Sequence, residues 1–351
     1  MKKILKRVLS PVLVFALSAA ILSGCSTSGD RDDTSNVGST PSPSPSESYV
    51  FKFANVVADD HPYNLGAAFF KETLEASAAE AGYNVTVEIY SNSALGGERE
   101  LAESMQLGAL DMALIPGCAV SFNPMFGLFD LPYLFESREV AHTVLDGEIG
   151  QEIAANMPQE SGLRLLAYWE NGFRNMTNSR REISTPEDVN GITIRVPENE
   201  VYVSFFSALG ANVVTMSFSE LYTALQQKTV DGQENPTALI ATNKLYETQT
   251  YMSLTEHFYG PAQLCFSESI WQTLPSDLQV LIQSAAEEAR DYERQCCVDL
   301  DASYLEEIES SGTQINNTID KSLFQPYAQQ VYEQYWDVYG PYIERIQNGD
   351  Y

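Results

Sequence analysis

The sequence predicts an α/β protein of two similar layered lobes joined by a long helix. Three observations carry this. Short β-like runs alternate with helical patterns from about residue 49, the same alternation starts again after Pro186, and a helical pattern without proline runs over 276–310. At about 1.5 Å per residue the last is long enough to lie across both lobes.

The elements follow in order. Residues 49–56 read as a strand, and Leu65, Ala68, Phe69 and Leu74 recur at helical spacing behind it. Val85, Val87 and Ile89 alternate with Thr86 and Glu88, a period of two that marks a strand. Gly96-Gly97 opens a helix carrying Leu101 and Met105, and residues 111–115 are apolar enough for a buried parallel strand. After Pro186 and Asp188 come a strand over 192–196, a helix over 201–209, a strand over 212–215 and a helix over 219–227. The second unit repeats the first in kind but not in sequence, so a solenoid is excluded. A last helix over about 322–347 carries Phe324, Tyr327, Tyr335 and Trp336, read as packing residues.

The chain has 351 residues, 44% of them hydrophobic, and a formal charge of −28. Such acidity repels polyanions at long range and speaks against nucleic acid as a partner. Lys2, Lys3, Lys6 and Arg7 precede an apolar run over 12–21 that is too short to span a bilayer, and Leu22-Ser23-Gly24-Cys25 follows. The tetrad resembles the lipobox of a bacterial lipoprotein signal peptide (1–24), which implies that Cys25 takes the lipid and ties the mature protein to the membrane. The mature charge is then −32, since the leader removes four cations and no acid. Residues 25–48 are rich in Ser and Pro and poor in apolar side chains, as befits a tether. Cys118, Cys265, Cys296 and Cys297 lack metal-ligand spacing and read as free, mostly buried thiols.

Motifs for nucleophilic, nucleotide, zinc or calcium chemistry are missing: there is no GxSxG, P-loop, GxGxxG, HExxH or EF-hand loop. The histidines are His61, His142 and His257, and His142, in a helical run, reads as structural. No cofactor is implied. The positive signal lies in the arginines, five of which (Arg164, Arg174, Arg180, Arg181, Arg195) crowd into residues 164–195 of an acidic chain. Arg180 and Arg181 are flanked by polar residues and read as solvated. Arg195 ends a strand, where α/β proteins place ligands, and a rigid guanidinium there suits a carboxylate. An internal ion pair is its alternative, and Arg174 is open to the same two readings. Asn235 offers an amide at a strand-to-helix turn.

These segments resemble the DctP-type extracytoplasmic solute-binding proteins of TRAP transporters. The resemblance rests on Ser93-Ala94-Leu95-Gly96-Gly97-Glu98, Asn171-Gly172-Phe173-Arg174, Arg195-Val196-Pro197, Met216-Ser217-Phe218-Ser219-Glu220 and Gln233-Glu234-Asn235-Pro236, and covers nearly everything after Tyr49. It implies a two-lobed periplasmic-binding-protein-like fold, a ligand cleft between the lobes, and delivery of a small organic acid to a permease of one small and one large membrane subunit. The chain is then no enzyme and acts as a monomer outside the cytoplasm. Lobe 1 is expected at 49–171 and 261–301, lobe 2 at 172–260 and 302–351, with a hinge near 172 and 260. By resemblance Arg195 clamps the ligand carboxylate, Arg174 supports it, Asn235 gives an amide contact and Phe218 packs on the ligand. Asn55, Glu98 and His61 are expected at its polar end, although Glu98 also suits a helix start and His61 a solvated turn. An acceptor such as Glu98 favours hydroxyls over a second carboxylate, so the expected ligand is a sugar acid such as a uronate. A C4-dicarboxylate, or an anchored hydrolase with paired carboxylates, is the alternative.

Overall fold

The computed structural model describes residues 48–351. The predicted leader, Cys25 and all but the last residue of the tether lie outside them.

In the first half, β1 (Ser48–Ala54), α1 (Pro62–Glu80), β2 (Asn84–Tyr90), α2 (Glu98–Gln106) and β3 (Met112–Leu114) appear where the sequence placed them. Three short helices, α3 (Arg138–Asp146), α4 (Glu148–Ala154) and α5 (Met157–Ser161), precede the long strand β4 (Leu163–Asn178). The second half contains β5 (Thr193–Val196), α6 (Glu200–Ala208), β6 (Asn212–Thr215), α7 (Phe218–Gln226), β7 (Gly232–Pro236), α8 (Thr237–Thr242) and β8 (Tyr251–Ser253). Then β9 (Tyr259–Ser267) returns, followed by α9 (Glu268–Trp271), α10 (Ser276–Ser310), β10 (Gln314–Asn316) and α11 (Gln325–Asn348).

The strands run in the order β2-β1-β3-β9-β4-β7-β5-β6, with β8 pairing both β4 and β10. β1, β2 and β3 are parallel, as are β5, β6 and β7. β4 is the common member. Its first part pairs antiparallel with β9 and its last part, from Arg174 to Asn178, with β7. The β4–β9 ladder shifts register between Glu170 and Gly172, where Gly172 (φ 104°) faces Gly260. Only glycine tolerates that backbone well, and the bulge turns the neighbouring Asn171 and Glu170 away from the regular pleat. β4 and β9 escaped the sequence reading because both are buried along nearly their whole length and show no alternation.

One register differs from expectation. α1 buries Tyr63, Gly66, Ala67, Phe70, Leu74 and Ala78, whereas Ala68 is exposed and Leu65 and Phe69 are half-buried. The deciding contact is at Gly66, where an added Cβ would lie 2.7 Å from Trp169 and 2.8 Å from Glu293, so this face presses onto β4 and α10. Phe69, one position round, stacks instead on Tyr292 of α10. α10 packs on α1 and β4 and, further along, on α8. Tyr304 and Ile308 near its end join Leu221, Ile240 and Met252 in a second, smaller core. α11 packs on α6 and on residues 124–128, with the Tyr339 hydroxyl donating to the Pro124 carbonyl. Of its aromatics Phe324 is fully buried, but Trp336 is 42% exposed. Cys118, Cys265 and Cys297 are buried free thiols, and Cys296 is a half-buried one. Among the described residues, no helix is long and apolar enough to cross a membrane.

Candidate functional site

The carboxyl ends of β1, β3, β5 and β7 converge on one narrow cavity, the position at which layered α/β folds bind ligands. Val56 and Val57 after β1, Pro116 and Gly117 after β3, Arg195 and Pro197 at the end of β5, and Asn235 in β7 line it. Phe218 at the start of α7, Glu98 at the start of α2, and Tyr63, Asn171, Arg174 and Leu239 complete the wall. Arg195, Arg174, Asn235, Phe218 and Glu98 are thus brought together. His61 and Asn55 are not among the lining residues.

Arg195 is 2% exposed. Ile194 and Val196 point into the core on either side of it, so the pleat sends the guanidinium the other way. Its Nε and Nη2 both donate to the Met216 carbonyl, at 3.0 and 2.6 Å. No carboxylate lies within ion-pair distance of it among the described residues. Burial is the main influence on its pKa, outweighing the attraction of Glu234 and Glu98, and the group is brought down to about 10. A buried cation held by one carbonyl, with its remaining edge on a cavity, is poised for an anion.

Arg174 is arranged differently. It is equally buried but already paired with a carboxylate: Nε donates to Glu234 Oε2 at 2.5 Å, and Nη2 to Glu234 Oε1 and to Asn235 Oδ1 at 2.8 and 2.9 Å. Its guanidinium also lies 5.3 Å from the Tyr202 ring centre. Burial pushes the Glu234 carboxyl up, but Arg174 and His257 outweigh it and the pKa is lowered. His257 in turn sits among Phe205, Phe206 and Phe258, and burial lowers its pKa below the usual value, leaving a neutral ring. It spans Thr255 Oγ1 at 2.7 Å and Glu234 Oε2 at 3.3 Å. The ring satisfies both with Nε2–H donating to Glu234. Asn235 donates to Gln233, which donates to Thr177, which donates to Gln249, so a buried polar chain fixes the amide. Glu234 and His257 carry no role in the sequence reading. Glu234 lies within the quoted Q-E-N-P segment, but only β4–β7 pairing shows that it faces Arg174.

Across the cavity, the Glu98 Oε2 accepts from the Gly117 N–H at 2.8 Å. Burial pushes its carboxyl up to about 7, against the pull of Arg195 and the Gly117 amide. Gly117 is needed for this approach, since a Cβ there would lie 2.4 Å from Glu98 Oε2 and 3.3 Å from Pro197. At the rim, Arg99 of α2 meets Glu198 after β5 at 2.6 Å.

His61 caps α1: its Nδ1 accepts from the Tyr63 N–H, burial holds the ring neutral with a pKa near 3, and it is fully buried, not a solvated turn residue. Asn55 ties down the loop beneath the cavity by donating to Asn64 and accepting from the Val57 N–H. Both shape the wall from behind. The rest of the arginine cluster is spent elsewhere, with Arg164 doubly bonded to Glu268 and Arg181 donating to the Asp188 and Asn190 carbonyls. Arg180 is largely exposed, 3.8 Å from Asp231. His142 of α3 pairs with Glu170, a structural contact at the β4 bulge. A wider groove lined by Asp146, Arg164 and Arg290 offers a ligand no unpaired cation among the described residues, for its arginines already meet Glu268 and Asp146. Tyr63 and Asn171 are lining residues that the sequence reading did not assign.

Residues 53–337 match the model of the bacterial extracellular solute-binding proteins, family 7, DctP. The chain is 35% identical over 275 residues to the C4-dicarboxylate-binding periplasmic protein DctP of Rhodobacter capsulatus, covering 77% of this chain and 80% of that one. A TRAP periplasmic solute-binding protein from Polaromonas sp. JS666, solved with D-erythronate, superposes with a TM-score of 0.82 at 35% identity, covering 85% of this chain and 98% of the other. The sugar-acid-binding DctPAm of Advenella mimigardefordensis, solved with galactonate, gives 0.82 at 34% identity, over 86% and 98% of the two chains. The fold, the cavity at the strand ends and the matched segments agree, and the chain belongs to the DctP-type extracytoplasmic solute-binding proteins of TRAP transporters.

Proposed function

We propose that this protein captures a hydroxylated monocarboxylic acid, a sugar acid of the aldonate or uronate type, and delivers it to the small and large membrane subunits of a TRAP permease. The observation that carries this reading is Arg195: a buried guanidinium on the cavity with no carboxylate partner of its own among the described residues. The ligand carboxylate supplies that partner, Arg174 and Asn235 support it, and Phe218 packs on the ligand. Glu98 at the other side accepts from hydroxyls and, in its ionised form, disfavours a second carboxylate. Relatives solved with galactonate and D-erythronate support the choice. The likeness to a C4-dicarboxylate-binding protein keeps a dicarboxylate as the second reading.

Binding is coupled to closure of two lobes, 49–171 with 261–301 and 172–260 with 302–351, about a hinge at Gly172 and Gly260. The bulge and positive φ at Gly172 support that placement, and closure excludes water so that the clamp strengthens. The chain works as a monomer and without catalysis, held to the membrane by a lipid on Cys25. Thermal-shift screening with galactonate, glucuronate, D-erythronate, succinate and malate tests the reading. Stabilisation by the hydroxy acids is expected; stabilisation by succinate or malate alone overturns the sugar-acid assignment.

A further inference from the structure

The cavity wall holds two polar groups that the protein leaves unsatisfied. The Tyr63 hydroxyl and the Asn171 Oδ1 are each buried without a hydrogen-bond partner among the described residues, in side chains 1% and 6% exposed. Both residues line the same cavity as Arg195 and Glu98. Buried polar atoms are nearly always paired, and an unpaired one costs free energy until something completes it.

Neither group is free to turn elsewhere. Tyr63 lies in the first turn of α1, behind Pro62, with its ring edge-on to His61 at 4.5 Å. Asn171 sits at the register shift of β4 and β9, and its side chain is close-packed against Gly260, where an added Cβ would come within 3.2 Å of it. The bulge aims this side chain at the cavity. The chemistry of the wall is therefore divided. Arg195 presents donors and positive charge. Asn171 Oδ1 presents an acceptor, and Glu98, whose carboxyl is pushed up to about 7, and the Tyr63 hydroxyl each both donate and accept.

We infer that Tyr63 and Asn171 read the hydroxyl groups of the bound acid, and that this pair makes the site select a polyhydroxylated monocarboxylate over acids of similar length that lack hydroxyls. A hydroxyl donates to the Asn171 carbonyl or Glu98 and accepts from Tyr63 at once. A second carboxylate, or a bare methylene chain, leaves the Asn171 oxygen unpaired, and sites built to bond a ligand hydroxyl reject analogues without it strongly. The inference rests on the sugar-acid reading above.

The test is calorimetric titration of the full chain and of Tyr63→Phe and Asn171→Leu with galactonate, hexanoate and succinate. Tyr63→Phe removes one atom and keeps the ring, and thermal melts of both variants establish that they fold. Each substitution is expected to weaken galactonate by about 10- to 100-fold while hexanoate changes less than threefold, so that selectivity for the hydroxylated acid collapses. Galactonate affinity within threefold of wild type in both variants overturns the inference and leaves the sugar-acid reading standing. Tight binding of succinate by the wild type, with galactonate unbound, overturns both. An equal loss for galactonate and hexanoate shows a packing role and also overturns the inference.

Discussion

Replacing Arg195 by methionine separates what this side chain does for the ligand from what it does for the fold. Methionine keeps most of the apolar stem and removes the guanidinium. On the ligand side, truncating one member of a desolvated, hydrogen-bonded charge pair costs about 2–5 kcal/mol. A value near 3 kcal/mol corresponds to a loss of affinity of about 150-fold. On the folding side the sign is opposite. Burial brings the pKa of the guanidinium down from its usual value to about 10. A base whose folded value is depressed carries its penalty in full at pH 7, below both values, and loses it as pH rises past 10. At about 1.36 kcal/mol for each tenfold change in proton affinity, that depression sets a few kcal/mol against the ligand-free fold. Two bonds to the Met216 carbonyl are lost in return, at about 1–3 kcal/mol. The ligand-free Arg195→Met variant is thus expected to melt at or a few degrees above wild type, while calorimetry shows galactonate binding at least 100-fold weaker. Weakening of under fivefold, or a ligand-free midpoint more than about 10 °C lower, refutes this reasoning and makes Arg195 a structural strut.

Three further outcomes follow from particular contacts. Gly117→Ala places a methyl 2.4 Å from Glu98 Oε2 and 3.3 Å from Pro197, so it should weaken ligand binding tenfold or more with little change in ligand-free stability. An affinity equal to wild type in titration would show that the approach is not needed. The Arg99–Glu198 pair at the rim is 41% exposed on both sides, which limits it to about 0.2–1 kcal/mol. Glu198→Gln should therefore weaken binding only about two- to fivefold, and that difference should vanish near 0.5 M salt, where charges are screened within about 4 Å; a salt-independent effect contradicts the pairing. Burial pushes the Glu293 carboxyl up to about 8 from 4.5. For an acid with a raised pKa, stability is full below the unfolded value, falls as pH rises from about 4.5 to 8, and stays low above that. Glu293→Gln should accordingly gain a few kcal/mol over wild type in denaturant melts at pH 8.5 and little at pH 4.5, and an equal difference at both pH values rejects it.

The parallel strands and their helices were legible because each alternates or buries a face over a short, local stretch: Val85 and Val87 fix β2, and Leu101 with Met105 fix α2. The junction between the halves was not, because β4 and β9 are buried on both faces and show no alternation, and their pairing joins residues about a hundred positions apart. The site shows the same division. Arg195 was readable from a strand end, whereas the matching of Arg174 to Glu234 depends on β4 lying beside β7. His61 reads in sequence like a polar residue at a turn. Its burial comes from the packing of α1 on β4 and α10, which no local pattern encodes. Tyr63 was hidden for the opposite reason: a tyrosine in an amphipathic helix reads as core, and only its unpaired hydroxyl marks it as part of the wall.

The most direct measurement is a crystal structure of the protein grown with galactonate. The expected density places the ligand carboxylate within about 2.7–2.9 Å of the Arg195 guanidinium, between Phe218 and Glu98. Galactonate bound with its carboxylate elsewhere, and Arg195 turned onto Glu98 or Glu234, contradicts the assignment.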